Sequence, residues 1–170
     1  MPKSGYGQRG VANAVPSIRL QPMTEAEFAA YSAEKVPEFA HDVERADGRS
    51  EAAALEQARS TMVRILPQGP ATPGHSMSWI VDDASGERVG NLWLFLDPAA
   101  PRVFVYDIEV RPEHRRRGYA EAALAQAWAI GRSAGATRLE LHVFGHNAGA
   151  IALYEKLGFT TTHRQMSKPL

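Results

Sequence analysis

The sequence predicts one α/β domain of the α+β kind, and three observations carry that expectation. Strand-like segments, apolar at every second position, are interleaved with Ala- and Glu-rich segments of helical character. Three strand-like runs follow one another in the middle of the chain, separated only by short turns. The length of 170 residues, with 44% apolar and 22% charged, suits one domain with its own core, and no internal repeat marks a second.

Residues 1–15 are rich in glycine and polar residues and read as a flexible leader, which leaves 16–170 as the domain. Ile18, Leu20 and Pro22 alternate with Arg19 and Gln21 in a first strand. Thr24 and Glu27 form a Thr-x-x-Glu capping box, so a helix starts there. A second helix is expected from Ser50 to Leu66. Three prolines and two glycines between Pro67 and Gly74 then break the chain. This stretch reads as a rigid connector, with a place beside a ligand cleft as the alternative. Strands Ser76–Asp82 and Arg88–Asp97 form a hairpin, and a turn leads to a third strand, Arg102–Val110. A helix from Gly118 to about Ala134, a strand Leu139–Val143, a helix Ala148–Leu157 and a last strand Phe159–Lys168 complete the order β-α-α-β-β-β-α-β-α-β. Trp79, Trp93 and Trp128 are expected in the core.

Composition removes several function classes. Nineteen basic residues balance nineteen acidic ones, which disfavours a nucleic-acid partner. There is no cysteine, hence no disulfide, no thiolate metal site and no acyl-cysteine intermediate. No apolar run reaches the length of a membrane span, and a cytoplasmic protein is the expectation. The six histidines lack metal-ligand spacing, so no metal is expected.

The informative segment runs from Val110 to Ala120, after a strand and into a helix. At such a junction the first helical N–H groups lack intrahelical partners and the helix dipole is positive. Gly118 and Ala120 leave room for a phosphate, and Arg115, Arg116 and Arg117 add charge. Arg115-x-x-Gly118-x-Ala120, preceded by Val110-x-Pro112, resembles the pyrophosphate-binding motif of the GNAT acyltransferases. A second block, Asn147-x-x-Ala150-x-x-Leu153-Tyr154-x-x-Leu157-Gly158-Phe159, resembles that family's next segment at the usual separation. The match is close over residues 102–168, whereas the N-terminal half agrees only in element order. Ala120 stands where glycine is commoner.

The resemblance implies a mixed, mostly antiparallel twisted sheet flanked by helices, and an acetyl-CoA-dependent N-acetyltransferase. It implies that the backbone of Ile108 to Val110 pairs with the pantetheine amides. The N–H groups of Arg116, Arg117, Gly118, Tyr119, Ala120 and Glu121 would hold the pyrophosphate, and Asn147 would bind the pantetheine arm. Tyr154 would stand beside the thioester sulfur as the acid that protonates the thiolate. For the base, Glu109, His142 and a water relay stay open, and Asp107 shares the face of Glu109 in a regular strand. The acceptor is an amine of a small molecule, peptide or protein. The alternative is a non-catalytic acyl-CoA-binding sensor. The superfamily often forms homodimers, but no interface is readable in this sequence.

Overall fold

A computed structural model describes residues 15–166 and 168. The expected leader therefore falls almost wholly outside the described residues. Five strands form one sheet in the order β1-β2-β3-β4-β5: β1 Ile18–Pro22, β2 His75–Asp82, β3 Arg88–Leu96, β4 Arg102–Val110 and β5 Arg138–Leu141. The first four pair antiparallel in chain order, and β4 pairs parallel to β5. The helices are α1 Glu25–Asp47, α2 Glu51–Ile65, α3 Tyr119–Ser133 and α4 Ala148–Lys156. Short 3-10 turns occupy Gly69–Ala71 and Pro112–His114.

The sequence signals for α1 and α2 act as expected. Thr24 accepts from the Glu27 N–H while the Glu27 carboxylate takes the Thr24 N–H at 2.8 Å. Ser50 caps α2 in the same manner through the Ala53 N–H. Arg88 also reaches Glu27 at 2.6 Å, and the Thr24 backbone contact, countering some burial, helps hold the Glu27 carboxyl down to about 2.

Apolar residues bury both faces of the sheet. One face packs Ile80, Leu92, Leu94, Val103 and Val105 beneath α3. The other buries Met77 and Trp93 with Met23, Tyr31 and Leu66. A third cluster joins α1 to α2 through Ala40, Val43, Ala54 and Ala58. Helix α3 lies close to the sheet because its inner face is small: Ala123 and Ala127 are fully buried, and a Cβ on Gly131 would come within 2.6 Å of Val103. One position past Ala127, about 100° around the helix, Trp128 turns outward and is 42% exposed, so it is not a core residue.

Two further expectations are corrected. Residues 159–166 form no strand. Their alternation specifies two faces but supplies no hydrogen-bonding neighbour, and Thr160–Met166 are exposed throughout. Strand β5 stops at Leu141, so His142 and Val143 lie beyond it. There the chain leaves the sheet, and Phe144 packs against the α1–α2 cluster instead.

Strands β3 and β4 approach closely at Gly90, opposite Val110. A Cβ there would collide with the Glu109 carbonyl oxygen and crowd the Val110 Cα, and neither backbone atom can swing away. Gly90→Ala is expected to lower stability by about 1–3 kcal/mol, the usual range for overpacking, in urea denaturation followed by circular dichroism. An unchanged midpoint would show that the two strands are not packed this tightly.

Candidate active site

The site is built around an irregularity in β4. Trp93 pairs with Asp107 but Leu94 pairs with Val105, so Tyr106 is an extra residue, a bulge. The bulge shifts the alternation by one. Val103 and Val105 before it, and Ile108 and Val110 after it, all pack toward α3. Asp107 and Glu109 therefore face α1. Without the extra residue they would point into the apolar layer with Val103 and Val105. The two carboxylates do share a face, as a regular run from 107 to 109 requires.

The same point is where β4 and β5 part. They pair only from Arg102–Arg138 to Val105–Leu141, and β4 continues to Val110 with β3 alone beside it. From Tyr106 onward the other edge of β4 has no neighbouring strand among the described residues, so its backbone groups on that side, the Val110 carbonyl apart, are open to an extended ligand.

At the end of this edge stands the strand-to-helix junction. Gly118 is the N-cap of α3 at φ 89°, and no side chain caps the helix. Arg116 is the one non-glycine residue with positive φ among the described residues, at 62°. The first-turn N–H groups of Tyr119, Ala120 and Glu121 have no intrahelical acceptor and sit at the positive end of the dipole. The side chains around them are occupied elsewhere. Arg115 folds back, its Nε donating to the Val110 carbonyl at 2.9 Å and its Nη2 to Glu109 at 3.4 Å. The Tyr119 side chain is buried toward Asp82, and burial followed by that carboxylate raises its hydroxyl above the ordinary phenol value. Glu121 takes an ion pair from Lys156 at 2.7 Å and so ties α3 to α4. Arg116 and Arg117 are exposed.

Helix α4 supplies two candidates. Asn147 is its N-cap, its Oδ1 accepting from Ala150 N at 3.2 Å, so part of the side chain is used locally. Tyr154 is half-buried against the α3-side core, with its ring 5.6 Å from Phe159. Burial, and then the charge of Asp107, raise its hydroxyl above the ordinary value, so it keeps its proton at neutral pH.

The candidate bases differ in their surroundings. Glu109 accepts from Lys35 and from Arg115. His142 is exposed, its ring edge-on to Phe104 at 5.2 Å.

Sequence reasoning missed the partners of Asp107. Its Oδ2 accepts from the Tyr31 hydroxyl at 2.8 Å and from the Asn91 amide at 2.6 Å. Burial raises its pKa above the usual carboxylate range, while the nearby Lys35 pulls the other way. Burial also weighs against the Lys35 charge, but Asp107, Glu109 and Glu38 outweigh it and hold the ammonium above its ordinary value. The sequence carried only part of the signal: Tyr31 and Lys35 are one helical turn apart and so share a face of α1, but their spacing does not point to Asp107. Among the described residues, no group of three or more His, Asp or Glu is placed to hold a metal, and no helix is long and apolar enough to cross a membrane.

Known proteins share this fold. The acetyltransferase (GNAT) family matches residues 29–159. The chain is 35% identical over 156 residues to the uncharacterized N-acetyltransferase YdgE of Bacillus subtilis (strain 168), covering 91% of this chain and 99% of that protein. The uncharacterized N-acetyltransferase YycN of the same organism matches at 35% with the same coverage. The crystal structure of YycN aligns with a TM-score of 0.84 at 34% identity, covering 91% and 99% of the two chains. Mycothiol acetyltransferase of Beutenbergia cavernae is 34% identical over 149 residues, 86% of this chain and 46% of that protein. By fold, by family match and by near full-length relatives, the chain belongs to the acetyltransferase (GNAT) family and is an N-acetyltransferase.

Proposed function

We propose that the protein transfers an acetyl group from acetyl-CoA to a primary amine of a small molecule, peptide or protein, by direct attack in a ternary complex. The observation that carries this reading is the unpaired edge of β4 leading straight to the uncapped start of α3. An extended amide chain suits the first and a pyrophosphate suits the second, so the residues present fit CoA. Acetyl-CoA supplies the acetyl thioester. A chain without cysteine offers no thiol to carry the acetyl group on the way, which supports the direct route.

In this reading the backbone of Ile108 to Val110 aligns the pantetheine arm, with the spare Nδ2 of Asn147 at its side. The N–H groups between Arg116 and Glu121 bind phosphate oxygens, and the exposed Arg116 and Arg117 add favourable charge. Tyr154, protonated at neutral pH, gives its proton to the departing thiolate. The amine must lose a proton before or during attack. His142, exposed and set against the edge of Phe104, is freer to take it than Glu109, which two cations engage. A cytoplasmic location belongs to the same proposal.

Release of CoA thiol, read with a chromogenic reagent, is clean here because the protein adds no thiol of its own. Tyr154→Phe is expected to lower kcat by about a hundredfold or more while leaving the CoA Kd unchanged, the usual size of general-acid loss. An undiminished kcat would remove Tyr154 from the chemistry. A second comparison concerns the base: His142→Gln is expected to lower kcat/KM at neutral pH by about a hundredfold, the usual size of general-base loss, and Glu109→Gln to leave it nearly unchanged. The reverse pattern would assign the base to Glu109, and an undiminished kcat/KM in both would point to water.

A further inference from the structure

On the α1 side of the sheet a run of rings forms a surface that the chemistry above leaves unused. Tyr106, extruded by the bulge, stacks on Trp93 at 4.7 Å with the planes 24° apart. Phe104 meets Tyr106 edge-on at 4.8 Å. His75 lies 5.6 Å from Tyr106 and stacks on Phe95 at 4.5 Å. The surface is fixed in place. The Trp93 indole N–H donates to Nδ1 of His75 at 3.0 Å, so the neutral imidazole carries its proton on Nε2. Burial lowers the His75 pKa, which keeps that ring uncharged at neutral pH.

Despite this packing, Tyr106 remains 38% exposed. A large ring held by four neighbouring rings yet more than a third exposed is a preformed apolar platform. Its two ends restrict what can lie there. Asp107 follows Tyr106 directly, and both of its hydrogen bonds go to Oδ2, which leaves Oδ1 for an incoming N–H. His142 marks the other end, against Phe104. The platform thus offers a flat neutral surface with a carboxylate beside it, the complement of an ammonium group on a flat body.

We propose that the acceptor is a primary amine carried by an aromatic or similarly flat body, which stacks on Tyr106 while its amino group reaches Asp107. The proposal rests on the acetyl-transfer reading and specifies its acceptor. Aliphatic amines of equal hydrophobicity reach the same carboxylate but forgo the stacking, so Tyr106 acts on specificity and Asp107 on the position of the nitrogen.

Calorimetric titration of the full chain, in the presence of CoA, with 2-phenylethylamine and with n-hexylamine separates acceptor binding from turnover. The aromatic amine is expected to bind about tenfold more tightly, roughly the worth of one ring stack. Tyr106→Phe keeps that preference and Tyr106→Leu abolishes it, with thermal melts confirming that both variants fold. Should Tyr106→Leu fail to fold, Phe104→Leu carries the same comparison, with a reduced preference expected. Equal affinity for the two amines, binding of neither, or a preference that survives Tyr106→Leu overturns the proposal. Absence of thiol release with either amine counts against the acetyl-transfer reading and leaves the binding comparison to decide this one.

Discussion

The extra residue in β4, Tyr106, lets one strand serve two faces. Up to Val105 the strand is sealed between β3 and β5, and its inward side chains belong to the core under α3. Beyond Tyr106 the parity is shifted, so Ile108 and Val110 keep covering that core while Asp107 and Glu109 turn toward α1. The same residue marks where β5 ends its pairing and an edge opens. A regular strand would have put two carboxylates into an apolar layer, at a cost of several kcal/mol each unless neutralised. The bulge thus relieves a burial conflict at the place where a strand edge opens.

The polar groups on the α1 side depend on that geometry. Lys35, mostly buried in its side chain, lies among Glu38, Glu109 and Asp107, and each needs the others to offset its desolvation. Tyr31 and Asn91 then fix which oxygen of Asp107 is free. The influence reaches Tyr154 as well, because the Asp107 charge also helps keep its hydroxyl protonated. Tyr154, proposed as the acid, the proposed acceptor surface and α1 are therefore linked through one carboxylate.

Much of this was readable from residues alone. The capping box at Thr24, the Pro/Gly break and the glycine at the start of α3 are local signals, and each specifies a local structure. The motif residues from Val110 to Ala120 announced the strand-to-helix junction in the same way. What could not be read is what depends on a partner distant in the chain. The alternation after Phe159 looked like a strand, but a strand needs an edge to pair with, and none is used by residues 159–166. Trp128 looked like core, but the close approach of Ala127 and Gly131 to the sheet rotates it outward. The bulge at Tyr106 is equally silent in the sequence, because an added residue in a β-rich run leaves no mark until the register with β3 is known. The links from Asp107 to Tyr31 and Asn91 span 76 and 16 positions, and no spacing rule reaches that far.

The central claim is that the open edge of β4 and the uncapped start of α3 together receive CoA. The direct measurement is amide-resolved NMR of the labelled protein during titration with CoA. The account predicts that the N–H signals of Ile108 to Val110 and of Arg116 to Glu121 shift together and gain protection from hydrogen exchange, while those of β1 and β2 stay unchanged. CoA binding that leaves both segments unperturbed, or no binding at all, would contradict it.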